Sequence, residues 1–285
     1  MEIWLILGLI GYIIIAFMSI LDKHMMNKKY HPVITVLLRT LFNAAFLAFI
    51  GLVILNLNIT ASLLILATIP ALMIAVSFII YLIVLQKKNL SNIQPFYQSL
   101  DVLFIFLASI IVLNEQASLV NYVGILVIVI GIYLVITEHV FKVPHLDSNF
   151  LIIIALVPAD VAFALLIKMY LGSAEPIALA ASIYIMAFLI LTIISLLMRK
   201  KLQLTISSLK SQLGIVFIAS LCAATSAALL YTALSQANAS KVYPMAGVSS
   251  ITTFLLATFF LKEKFYRCRF IGTLFIFMGI YLISL

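Results

Sequence analysis

Ten runs of about 20 apolar residues, parted by short polar joints, leave this 285-residue chain few folds to choose from. Each run is long enough to cross a hydrocarbon core of about 30 Å as a helix. Backbone groups in lipid must be paired internally, which restricts the choice to helices or a closed barrel. The alternating strands of a barrel are absent. The expected spans are about 3–21, 33–55, 63–85, 91–113, 118–137, 149–171, 177–198, 213–235, 242–261 and 266–284. The first run lacks a basic leader and a small-residue cleavage site, and is expected to stay as helix one.

The last fifty-five residues restate a stretch that ends near the middle of the chain. Tyr81 to Ile136 passes through Pro95, Leu113-Asn114-Glu115, Gly124 and Gly131-Ile132-Tyr133-Leu134. Tyr231 to Leu285 passes through Pro244, Leu261-Lys262-Glu263, Gly272 and Gly279-Ile280-Tyr281-Leu282. From acid to first glycine is nine positions in both copies, and from there to the tetrapeptide is seven in both. Residues 1–138 and 148–285 thus read as two copies of one five-span unit, and an odd span number inverts the second copy in the membrane.

Inversion predicts that positive charge falls on non-equivalent loops. The joint at Glu115 holds no Lys or Arg, whereas its partner at Glu263 carries Lys262, Lys264, Arg267 and Arg269. Together with Lys23, Lys28, Lys29, Lys87, Lys88, Lys142, Arg199, Lys200, Lys201 and Lys210, fourteen of the seventeen basic residues fall on one side. The positive-inside rule makes that side cytoplasmic and both termini extracytoplasmic, in what reads as a prokaryotic plasma membrane.

Only 9% of residues are charged, against roughly a quarter in soluble domains, and 66% are hydrophobic. The net charge of +8 reads as loop lysines facing a lipid surface, and no nucleic-acid footprint is expected. There is no nucleophile elbow, phosphate-binding glycine loop or zinc-protease motif, so no enzyme and no cofactor is expected. His24, His31, His139 and His145 all fall in predicted joints, and with Cys222 and Cys268 they give no metal spacing and no disulfide framework.

These residues resemble the ten-span EamA-type members of the drug/metabolite transporter superfamily. Leu113-Asn114-Glu115 and Leu261-Lys262-Glu263, each followed by a glycine nine positions on, are similar to the ending of each EamA unit. Lys23, Pro32 and Arg39 look like the series such units carry from helix one into helix two; Lys168 and Pro176 echo it, with Ile183 in place of the arginine. The resemblance implies an all-α membrane protein of ten transmembrane helices, as two inverted five-helix repeats around a central cavity. Helices one to four and six to nine would form the basket, with five and ten peripheral. It further implies alternating access for a small polar or amphipathic solute, in a monomer or homodimer.

A charge at mid-membrane costs about 3 kcal/mol on insertion scales, so it must face protein, water or a partner. Arg39, Asp101, Asp160 and Lys168 are such charges. Asp101 and Asp160 are the proton-coupling candidates; Asp160 follows Pro158, whose missing N–H frees a carbonyl one turn back, or it pairs with Arg39 or Lys168. Gln94, Gln98 and Asp101, with Tyr97 between, form one polar stripe that lines a cavity or glues helices together. Arg39 captures a substrate anion, snorkels to the basic interface or neutralises Asp101. In the second half the corresponding stripe is Ser249, Thr252 and Thr253. Tyr81 and Tyr231 contact a solute or anchor at the interface. Asn43, Tyr184 and Gln236 complete the substrate-binding candidates. Pro95, Glu115, Gly124, Pro244, Glu263 and Gly272 are structural, with each glutamate serving the N-terminal dipole of a helix.

The expected function is export or exchange of a small metabolite such as an amino acid, with Asp101 or Asp160 taking a proton. Its rivals are an uncoupled facilitator of anionic solutes through Arg39, and a non-transporting membrane partner such as a lipid-carrier flippase subunit.

Overall fold

In the computed structural model, which describes residues 2–55, 57–116, 118–137, 147–197 and 212–284, all regular structure is helical. The helices are α1 (Ile3–Asn27), α2 (Pro32–Phe49, ending in a π turn, Ile50–Ile54), α3 (Ala61–Leu85), α4 (Leu90–Val112) and α5 (Leu119–Thr137). There follow α6 (Ser148–Tyr170), α7 (Pro176–Leu197), α8 (Leu213–Gln236), α9 (Ala239–Phe260) and α10 (Arg267–Ser284). Eight of them, all but α5 and α10, are long and apolar enough to cross a membrane. The expected joints at His139, Lys142, His145, Arg199, Lys200, Lys201 and Lys210 lie outside the described residues.

The chain's punctuation sets these boundaries. Pro32 opens α2 at its first turn, where a missing N–H costs nothing. Thr60 caps α3, and Asp147 caps α6 by accepting from the Asn149 and Phe150 amides. Burial raises the Asp147 carboxyl, but an ion pair with Lys88 and those amides together outweigh it and hold the group below the usual carboxylate range. One boundary departs from expectation: α1 runs to Asn27 rather than ending near Leu21, so Asp22 and Lys23 are buried inside a helix.

Eight helices form a closed ring in the order α1, α8, α2, α7, α3, α6, α4, α9 and back to α1. First-half and second-half helices alternate around it. Exchanging each helix with its counterpart five places on maps the ring onto itself.

Outside the ring, α5 packs along α10. A Cβ on Gly124 would lie 2.6 Å from the Gly279 carbonyl oxygen, and one on Gly279 would lie 2.6 Å from that of Gly124. Gly131 and Gly272 oppose each other in the same way, at 2.7 and 2.8 Å. The pairing of 124 with 279 and 131 with 272 makes the two helices antiparallel. Small residues allow this backbone approach, which supplies packing energy where the lipid offers no hydrophobic drive. Gly131→Ala places its methyl against backbone on α10 with no flexible tip to yield, and is expected to cost about 1–3 kcal/mol. Thermal unfolding of the detergent-solubilised protein measures this; an unchanged midpoint would mean that α10 is free to move aside.

The two glutamates hold the ring crosswise. Glu263, just past α9, accepts from the amides of Leu90 (2.8 Å) and Ser91 (2.9 Å) at the start of α4. Glu115, just past α4, accepts from Ala239 (3.0 Å) and Ser240 (2.9 Å) at the start of α9. Each therefore serves a helix of the opposite half rather than the helix that follows it, because α4 and α9 are antiparallel neighbours and each one's end meets the other's start. Asn114 and Lys262 take φ of 54° to turn the chain so that the glutamate points back. Lys23 donates to the carbonyls of Leu85 and Lys88, both at 2.8 Å, and Lys168 to those of Leu234 (2.8 Å) and Ala237 (2.9 Å). So the α3–α4 and α8–α9 joints each have their last carbonyls held by a lysine and their next amides by a glutamate. Lys168 accordingly bonds backbone and not Asp160.

Candidate functional site

Inside the ring lies a cavity of about 330 Å³, lined from both halves. Helices α2 and α4 each present one stripe to it at i, i+3 or i+4, and i+7: Val36, Arg39, Thr40 and Asn43, then Gln94, Tyr97, Gln98 and Asp101. Asp22 reaches it from α1, Asp160 from α6, Tyr184 from α7 and Tyr231 from α8. A second lobe of about 260 Å³ shares Asp101 and Asp160 and continues to Tyr12 and Tyr243.

Most of the expected residues meet here, with different partners. Arg39, 2% exposed, pairs with Asp22 of α1 rather than with Asp101 or Asp160. It lies 4.6 Å from the Phe78 ring centre and reaches the Ala219 carbonyl at 3.5 Å. Asp160 accepts from the Tyr97 hydroxyl and also meets Ser77. Its recognised partners are therefore hydroxyls, in place of a proline-freed carbonyl or a cation. The Tyr97 ring stacks on Tyr81 at 5.6 Å, and Tyr81 on Phe78 at 6.2 Å. Tyr81 donates to Gln94. Tyr81 and Tyr231, 6% and 8% exposed, thus face the interior instead of an interfacial belt. Asn43 meets the Tyr184 hydroxyl.

Gln98 serves both ways: it lines the cavity, donates to Ser249 at 3.2 Å and accepts from Ser250 at 2.9 Å, joining α4 to α9. The structure does not bring Ser249, Thr252, Thr253 or Gln236 to the cavity lining. Thr252 donates back to the Val248 carbonyl, Thr253 is buried in packing and Gln236 is exposed at the end of α8. The reason lies in α9, where Tyr243–Met245 forms a 3-10 turn around Pro244. The corresponding α4 runs unbroken through Pro95, so the register below the two prolines differs.

Sequence reasoning assigned Asp22 to a joint. The signal that could have placed it was the apolar pattern beyond it, since Met25 and Met26 are fully buried one turn on.

A ring of apolar helices enclosing a polar, carboxylate-bearing cavity defines an integral multi-pass membrane protein of the transporter type. The model of the EamA-like transporter family matches residues 2–137 and again 149–285, and the chain belongs to that family, whose members are transporters and not enzymes. A solved structure described only as "Crystal structure of protein", 12% identical, superposes with a TM-score of 0.59 and covers 97% of this chain and 95% of that one. At that identity the likeness shows the fold alone. No curated protein matches the chain significantly.

Proposed function

We propose that this chain is a secondary transporter that exports or exchanges a small polar or amphipathic metabolite by alternating access between two inverted five-helix repeats. The observation that carries the reading is the cavity at the interface of the halves, walled by Asp22, Asp101 and Asp160. The self-mapping ring and the antiparallel α5–α10 pair support the inversion, and with it ten spans in which α5 and α10 also cross. The non-transporting alternative required Arg39, Asp101, Asp160 and Lys168 to be mutually paired. Arg39 pairs with Asp22, Asp160 with the Tyr97 hydroxyl and Lys168 with backbone carbonyls, which favours transport.

Asp101 and Asp160 face one cavity and its second lobe. Two carboxylates in one low-dielectric site favour holding a proton or a cation between them, which suits a proton-coupled cycle. In proteoliposomes, Asp101→Asn is expected to abolish pH-driven uptake with the fold intact by thermal unfolding. Unchanged driven uptake would remove Asp101 from the mechanism. The positive-inside rule orients the fourteen-residue basic side to the cytoplasm; a reporter fused to either terminus and found cytoplasmic would reverse that.

A further inference from the structure

The polar inventory of the cavity is unbalanced. Four buried atoms belonging to residues that line it are unpaired among the described residues: Asp22 Oδ2, Asn43 Oδ1, Asp101 Oδ1 and Arg39 Nε. Three of the four are acceptors. Asp22 and Asn43 are 1% and 3% exposed, so solvent does not satisfy them cheaply, and a buried polar group without a partner is costly. Charge leans the same way. Among the lining residues stand three carboxyls, Asp22, Asp101 and Asp160, against a single cation, Arg39, which Asp22 already neutralises.

The acceptors lie in two groups. Asp22 and Asn43 sit at the Arg39 end, and Asp101 and Asp160 at the junction with the second lobe. Between them runs the stack of Phe78, Tyr81 and Tyr97: Phe78 lies under Arg39 and Tyr97 is bonded to Asp160. Aromatic faces attract cations and accommodate methylene stems.

We propose that the cavity binds a small organic dication with a primary ammonium at each end, of which an aliphatic diamine is the simplest case. One ammonium sits against Asp101 and Asp160, the other against Asp22 and Asn43, and the stem lies along the aromatic wall. An ammonium has three donors and no acceptor, which complements the unpaired set. An anion would meet three carboxyls and a guanidinium whose charge is already answered. A zwitterion would place its carboxylate among these carboxyls, where the buried unpaired donor among the described lining residues is Arg39 Nε. This inference rests on the transporter reading for its physiological meaning, but its chemistry is tested separately.

Three solutes of similar stem separate the classes: 1,4-diaminobutane, 1,4-butanediol and succinate. Thermal unfolding of the purified protein in detergent is expected to rise with diamine concentration alone, since a ligand of the folded state stabilises it by mass action. Asp101→Asn and Asn43→Ala, one at each end, are each expected to weaken the apparent diamine affinity at least about tenfold, and Asp101→Glu to retain it. Should Asp101→Asn fail to fold, Asn43→Ala alone reads the dependence. Stabilisation by succinate or the diol equal to that by diamine, or no shift at about 10 mM diamine, overturns the proposal. Counterflow in proteoliposomes loaded with the same solutes distinguishes the two failures. Exchange of succinate without diamine keeps the transporter and removes the dication; diamine binding with no exchange of any solute keeps the ligand class and removes transport.

Discussion

Asp22→Ala is expected to destabilise the protein by about 3–5 kcal/mol, one of the two largest losses anticipated for single substitutions in this chain. The change leaves the Arg39 guanidinium, 2% exposed, with the Phe78 ring and one long contact to a carbonyl in place of its counter-ion. An unpaired buried charge costs more than the ion pair itself contributes, so the arithmetic is asymmetric. Replacing both members, as Asp22→Leu with Arg39→Met, is expected to restore most of the lost stability, because no charge is then stranded. Thermal unfolding of the three variants forms the test. A single variant costing less than about 1 kcal/mol would mean that Arg39 finds another anion, and Asp101 or Asp160 would be the candidates. The pair also matters for the cavity: Arg39→Ala frees the second Asp22 oxygen and is expected to raise, rather than lower, the preference for cationic solutes.

Glu263→Ala carries the second large effect. It strips the amides of Leu90 and Ser91 of an ionised acceptor at a helix start, where two charge-assisted bonds and the helix dipole act together. At about 1.5–3 kcal/mol per bond, discounted for partial burial, the loss is expected to be about 3–4 kcal/mol. Glu115→Ala is expected to cost a similar amount through Ala239 and Ser240. Because the two sites lie at opposite ends of the α4–α9 pair and share no partner, the double variant is expected to be additive to within about 0.5 kcal/mol. Strong non-additivity would show that the two clamps are linked through the helices between them. Glu263→Gln keeps one acceptor oxygen and is expected to fall in between.

The span pattern and the repeat were legible because both rest on strong, local signals: apolar length, and glycine and acid at matched spacing. Gly124 and Gly272 were recognised as a repeated pair, but their purpose needed a third dimension. Only when α5 and α10 lie side by side does Gly124 meet Gly279 and Gly131 meet Gly272. The glutamates show the same limit. Sequence alone says that an acid suits a helix start, yet which start it reaches depends on the antiparallel placement of α4 and α9. Among the cavity residues, the stripe of Gln94, Tyr97, Gln98 and Asp101 followed from helical spacing and the intolerance of lipid for polar side chains. Asp22 escaped because a charge near the end of an apolar run reads as a joint, and nothing local reveals that an arginine seventeen positions later folds back onto it. Ser249, Thr252 and Thr253 were misplaced from the cavity by assuming that a duplicated proline keeps a duplicated register.

The two hairpin joints are clasped by identical chemistry, yet beneath one clasp α4 stays α-helical through Pro95 and beneath the other α9 is interrupted by a 3-10 turn at Pro244. Each proline removes a helix hydrogen bond, and in α9 the departure from α-helix is concentrated at Tyr243–Met245. On the proposed alternating-access reading, the two joints are therefore expected to bend unequally despite their matched clasps.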